Sequence, residues 1–323
     1  MDKIFEQFDG AKSFFDETIL MYKSSNFEEY MCAVVATDEV DLHNECLTLD
    51  ALRSAESKIN SYGLPFNAHH DPRIAPLGKT LLAKVIRSND GSKNYLFGVI
   101  GLYSQSFYKS LPKNISETNY VPNSEDYCKN DIELAFSHNE VDESLIDEAI
   151  SNSPCFVSKK VNKDVRKAAD PITILSFAIP AAIVYPFAKK YMEKNGEYVA
   201  ELQKQFVRWL FKYFVKKLNR KTLYEFSSPY RGCSVKYIVE TKSTIEIRSA
   251  IESIEIAGDK AKKLIDSMYD KNPTVLIYVF DSEVSDWIPS YVKTQNGDIY
   301  TDKPYLMAKE QFGGVSIGAR MVG

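Results

Sequence analysis

The chain lacks the signatures that most directly assign a function. Its 323 residues contain no GxxxxGK[ST] loop and no GxGxxG, and the closing "FGGVSIGARMVG" lacks the following helix that either motif needs, so there is no nucleotide fingerprint. Its five cysteines, Cys32, Cys46, Cys128, Cys155 and Cys233, form no CxxC pair. Their odd number and wide spacing argue against a disulfide framework or a Cys-based zinc site, and reduced thiols are the expectation. HExxH and HxH spacings are also missing, as are internal repeats and low-complexity tracts. No cofactor is implied. The start, "MDKIFEQFDGAKSFF", is acidic without a continuous apolar core, which is neither a secretory signal nor an Arg-rich transit peptide, and a cytoplasmic location is expected.

Long hydrophobic runs are scarce as well. The one uncharged stretch of note, "ITILSFAIPAAIVYPFA" (172–188), has seventeen residues and holds Pro180 and Pro186. A spanning helix needs about 20 apolar residues, and internal prolines remove helix hydrogen bonds. A buried segment is the expectation, with membrane contact through 172–221 as the alternative.

What is present is a hydrophobic fraction of 44%, enough for real cores and about two domains. Charged residues make up 26% with a net charge of -4, so the total gives no case for a nucleic-acid partner, and none is expected. The sign is uneven along the chain: residues 1–170 carry 27 acidic and 18 basic residues, residues 171–323 carry 17 and 22. We expect domains of 1–170 and 171–323.

Local patterns predict an α+β fold. "YMCAVVATDEV" (30–40) is a strand, "LTLDALRSAESKINSYG" a helix ended by Gly63, and "LLAKVIRSNDGSKNYLFGVIGLYS" two strands around an Asp-Gly hairpin turn. Residues 109–131 are rich in turn formers and predict a long loop. "IELAFS" resumes as a strand, "DESLIDEAISNS" is an acidic helix, and "SKKVNKDVRKAADP" (158–171) is a basic linker. The second half contains the strongest helical pattern, "GEYVAELQKQFVRWLFKYFVKKLNRKTL". Lys204, Arg208, Lys212 and Lys216 form one basic stripe there, and aromatic and aliphatic residues fill most of the remaining surface. A solvated stripe on a core helix is the plain interpretation; contact with an anionic membrane surface or phosphates is the functional one. "VKYIVET", a helix from "EIRSAIESIEIAGDKAKKLIDSMYD", "TVLIYVFD" and the Asn-Gly hairpin "YVKTQNGDIYTD" complete a small α+β unit.

All four histidines, His43, His69, His70 and His138, lie in the first half, so any imidazole chemistry belongs there. Three interpretations fit "FNAHHDPRIAPLGKT" (66–80). An imidazole can activate a serine supplied from elsewhere, with Ser137 in "LAFSHNE" the first candidate. Asp41, His43 and Glu45 share a face if extended, and with His69, His70 and Asp71 they offer metal ligands. Alternatively Asp71-Pro72 and Pro76-Leu77-Gly78 are simply turn chemistry.

"ATDEVDLHNECLTLDALRSA" followed by "PFNAHHDPRIAPLGKTLLAKV" resembles the start of phage prohead (capsid maturation) proteases, over residues 30–140. The resemblance implies a β-rich, herpesvirus-assemblin-like serine peptidase fold in the N-terminal part. It implies His70 as general base and a later strand serine as nucleophile, the place for which Ser137 is the candidate, with Asp71 beside the base. The family's nucleophile sits in a Ser-Ile-Gly-like strand, whereas "AFSHNE" has no glycine. Three functions therefore stand open: a serine peptidase with a partner-docking C-terminal domain, a phage or bacterial effector in type; a catalytically silent binding module; and a metal-dependent hydrolase or membrane-associated protein. The expected partner is a protein partner or substrate, and the oligomeric state is not encoded.

Overall fold

The computed structural model describes residues 5–24, 26–40, 46–67, 71–113, 131–136, 141–161, 173–185 and 196–302. The α+β class holds, and the chain divides between Lys109 and Ser110 instead of near residue 170. The reason lies in strand pairing. Ile132–Phe136 and Val157–Val161, expected in the N-terminal domain, hydrogen-bond into the sheet of the C-terminal unit.

The N-terminal unit is an antiparallel sheet of four strands: β1 (Phe27–Thr37), β2 (Leu64–Phe66), β3 (Gly78–Arg87) and β4 (Asn94–Tyr103), in the order β1-β4-β3-β2. One face is covered by α1 (Asp9–Tyr22), where Ala11, Phe14 and the preceding Phe8 pack on Leu81, Ile86, Phe97 and Val99. The other is covered by α2 (Leu49–Tyr62), whose Leu52 and Ile59 meet Ala36, Ala83 and Leu96. Strands apolar on both faces are what such a three-layer arrangement requires. Helix α2 begins at Thr48, whose side chain accepts from the Ala51 amide, and ends at Gly63 with φ 65°, whose N–H reaches the Ile59 carbonyl at 2.7 Å.

The C-terminal unit holds the larger sheet, so the small α+β unit predicted for this half is a mixed sheet of eight strands. These are β5 (Ile132–Phe136), β6 (Val157–Val161), β7 (Ile174–Ala178), β8 (Thr222–Tyr230), β9 (Cys233–Thr241), β10 (Pro273–Asp281), β11 (Asp286–Thr294) and β12 (Ile299–Tyr300), in the order β12-β11-β10-β9-β8-β7-β5-β6. The "basic linker" therefore begins as strand β6, while its remainder, 162–171, lies outside the described residues.

Three parallel pairs, β5 with β6, β7 with β8 and β9 with β10, are joined by helical crossovers. The first uses α3 (Glu143–Ser151), the second α4 (Ala181–Val184) and α5 (Gly196–Leu218), the third α6 (Thr244–Glu252) and α7 (Ile254–Ser267). All five helices bury residues in one core with a single face of the sheet. At its centre Phe177 stacks on Phe226 at 5.7 Å and meets Phe206, Trp209 and Phe214 edge-on at 6.0, 6.1 and 5.6 Å. Both tryptophans are buried here, and each donates to a helix carbonyl: Trp209 to Ala149 at 2.7 Å, Trp287 to Ala250 at 3.0 Å.

Of the apolar stretch 172–188, residues 173–185 are described and belong to this core. They form β7 and the short α4, with Leu175, Phe177, Ile183, Val184 and Tyr185 buried. Among the described residues no helix is long and apolar enough to cross a membrane.

Candidate functional site

Of the stretch singled out in the sequence, 66–67 and 71–80 are described. Strands β2 and β3 pair antiparallel, with Phe66 opposite Gly78, and the loop between them is tied at its base by the Leu77 amide donating to the Phe66 carbonyl at 2.8 Å. Strand β4 holds the other side, through the Tyr103 amide donating to the Leu77 carbonyl at 2.8 Å. The Tyr108 hydroxyl donates to the Pro76 carbonyl at 2.9 Å. At Gly78 the strands approach so closely that an added Cβ would stand 2.2 Å from the Gly101 carbonyl oxygen, which is why the position must be glycine.

Inside the loop, Asp71 is wholly buried and Arg73 nearly so. The Arg73 Nε is 3.0 Å from both carboxylate oxygens, its Nη2 is 2.6 Å from Oδ2, and its backbone amide donates to Oδ1 at 2.9 Å. This Asx-type turn closes on itself with a charge-assisted bidentate pair. Ile74, Ala75 and Pro76 are buried beside it. Of the three residues assigned to peptidase chemistry, Asp71 alone is described; His70 and Ser137 lie outside the described residues, as do His69, His138, Asp41, His43 and Glu45. Among the described residues no group of three His, Cys, Asp or Glu side chains could hold a metal.

Two further arrangements are charged. On the sheet face opposite the helices, Glu225 of β8 is buried and accepts from Lys236 Nζ of β9 at 3.0 Å. Ser227 stands opposite Lys236 and Ser176 opposite Glu225. Sequence reasoning missed this pair, although alternating polar residues in "TLYEFSSPY" and "CSVKYIVET" carry the signal.

The second arrangement is the predicted basic stripe. Lys204, Arg208, Lys212 and Lys216 are all exposed on α5, while Phe206, Trp209, Leu210, Phe211, Tyr213, Phe214 and Val215 are buried. The helix widens into a π turn at Phe211–Val215. In an α-helix every fourth residue drifts by about 40° around the axis. The wider turn rotates less per residue, so Lys216 swings back toward the line set by the first three cations. The same turn keeps Phe211, Tyr213, Phe214 and Val215 together inside.

Comparison with known proteins finds no matching family model, curated protein or solved structure.

Proposed function

We propose that the chain is a binding protein. Its N-terminal unit carries a prohead-protease-like loop without peptidase activity, and its C-terminal unit docks a partner. A cytoplasmic setting is part of this proposal and fits Cys32, Cys46, Cys155 and Cys233, all free thiols.

The observation that carries it is the state of Asp71. A carboxylate that serves a general base accepts from the imidazole and stabilises the imidazolium formed on proton transfer. Here both carboxylate oxygens are held by Arg73, so the charge that would stabilise an imidazolium is already balanced inside the loop. The turn is better suited to holding a rigid surface than to cycling a proton.

The competing proposal is a serine peptidase with His70 as base and Ser137 as nucleophile, which the stiffness of the same loop favours. A fluorophosphonate probe on the full chain separates the two. The binding protein takes up no label that depends on Ser137, so Ser137→Ala leaves the signal unchanged. Labelling that disappears in both Ser137→Ala and His70→Ala would establish the peptidase.

A further inference from the structure

The basic stripe of α5 has a feature that a merely solvated helix face does not need. Four like charges at successive turns repel one another, and such pairs are destabilising unless acidic residues intervene. Lys204, Arg208, Lys212 and Lys216 have no ion-pair partner among the described residues, whereas the flanking Lys217 and Lys221 are paired with Glu148 and Glu240 at 2.5 and 2.9 Å. The cations at the margin of the stripe are paired with carboxylates and those along it are not, Lys212 resting over the Tyr213 ring at 4.8 Å.

Burial of the aromatic face decides between partners. An interfacial membrane helix inserts an apolar face below its cations. In α5 that face is spent on the core, with Phe206, Leu210 and Phe214 at 1%, 0% and 0% exposure. A single strand of nucleic acid is held mainly by aromatic platforms beneath its bases, and the described aromatic residues of α5 are equally withdrawn. What remains is a line of four cations spanning about 18 Å, from twelve residues at about 1.5 Å each. A nucleic-acid duplex presents one negative charge per about 1.7 Å of its axis, the densest linear match for such a line. The charge is local to the helix: Ser110–Asp302, the unit that carries α5, holds 26 basic and 28 acidic residues.

We infer that α5 docks on the phosphodiester backbone of a nucleic-acid duplex through Lys204, Arg208, Lys212 and Lys216, without base readout. This rests on the C-terminal unit being a docking part, and is independent of whether the loop at Asp71 is silent.

Fluorescence anisotropy of the full chain with labelled duplex oligonucleotides of unrelated sequence tests it. Four phosphate contacts give a slope of log K against log salt near -3.6, or a loss of about two orders of magnitude in affinity between 50 and 200 mM salt. Affinity is the same for each sequence. Lys204→Gln and Arg208→Gln each lower the slope by about 0.9, and the fourfold Gln variant abolishes binding. Its far-UV spectrum and melting are expected to match the wild type, because all four side chains are exposed. Arg53→Gln/Lys58→Gln, on the exposed face of α2, removes charge elsewhere and leaves binding intact. Binding that survives the fourfold variant, that falls equally in the α2 variant, or that is absent at low salt overturns the inference. Preference for a single strand, or for phosphatidylserine vesicles with no duplex binding, overturns it in favour of those partners. A fluorophosphonate signal that Ser137→Ala leaves unchanged, alongside any of these outcomes, shows that the loop proposal stands separately.

Discussion

Removing Arg73 would strand a carboxylate that the fold has taken out of water. Asp71 has a side-chain exposure of 0% and Arg73 of 9%, so solvent does little to screen the pair. Breaking a buried pair by deleting one partner typically costs about 3–5 kcal/mol, whereas replacing both with apolar groups of similar size is often near neutral. Arg73→Met is therefore expected to destabilise the N-terminal unit by that amount, and Asp71→Leu/Arg73→Met to recover most of it. Urea unfolding of the variants reads the difference as a shift in midpoint at constant slope. An Arg73→Met variant as stable as wild type would show that the pair contributes only geometry. The sequence offered Asp71 as a partner for His70, and nothing in "HHDPR" distinguishes that role from a turn locked by the arginine two residues later. The distinction depends on side-chain burial, which sequence spacing does not carry.

Among the secondary-structure elements, close backbone approach sets the most specific requirement. Gly258 lies in the middle of α7, where alanine would ordinarily stabilise a helix by about 1 kcal/mol. A Cβ at this position would stand 2.2 Å from the Val184 carbonyl oxygen at the end of α4, and backbone cannot yield as a flexible side chain does. Gly258→Ala is expected to destabilise the C-terminal unit by about 1–3 kcal/mol, the usual range for overpacking, as a lowered melting temperature would show. Raised stability would mean that α4 and α7 are not in contact there. Elements with clear local signals were legible: α2 through its periodicity and Gly63, the β3–β4 hairpin through Asp90-Gly91, β10 through its β-branched and aromatic run, and the β11–β12 hairpin through Asn296-Gly297. Helix α1 was not, because it has no side-chain cap and its exposed Leu20 and Met21 blur the apolar stripe. Strand β8 was hidden by Ser227, Ser228 and Pro229, which read as turn residues although the turn itself comes at Arg231-Gly232, with φ 50° and 78°. The single helix predicted across 246–270 breaks at Ser253, whose hydroxyl bonds back to the Ser249 and Ala250 carbonyls at 2.8 and 3.2 Å. Of the candidate sites, the α5 stripe was plain in the sequence because it is local, while the Glu225–Lys236 pair needed the register of two strands.

At the scale of the whole molecule, the C-terminal core gives stability a direction with pH. Burial pushes the Cys233 thiol up to about 12 and the Tyr224 hydroxyl up to about 12, and it holds the Tyr237 hydroxyl well above its ordinary range. In the unfolded chain a thiol releases its proton near 8.5 and a phenol near 10, so between those values and the folded ones the native state binds more protons. Linkage then requires stability to fall as pH rises, by up to about 1.4 kcal/mol per pH unit for each such group. The contribution is complete below about pH 8.5, declines above it, and is lost as pH passes through about 12. Urea midpoints are expected to be level from about pH 7 to 8.5 and to drop steadily beyond, with the tyrosinate absorbance of the buried residues emerging only with unfolding. A thiol reagent at mildly alkaline pH should modify the exposed Cys46 while sparing Cys233, which has 0% exposure. If Cys233 reacts at the rate of Cys46 while the far-UV spectrum is unchanged, the core around Tyr237 admits water. In that case the alkaline loss of stability must arise elsewhere in the chain.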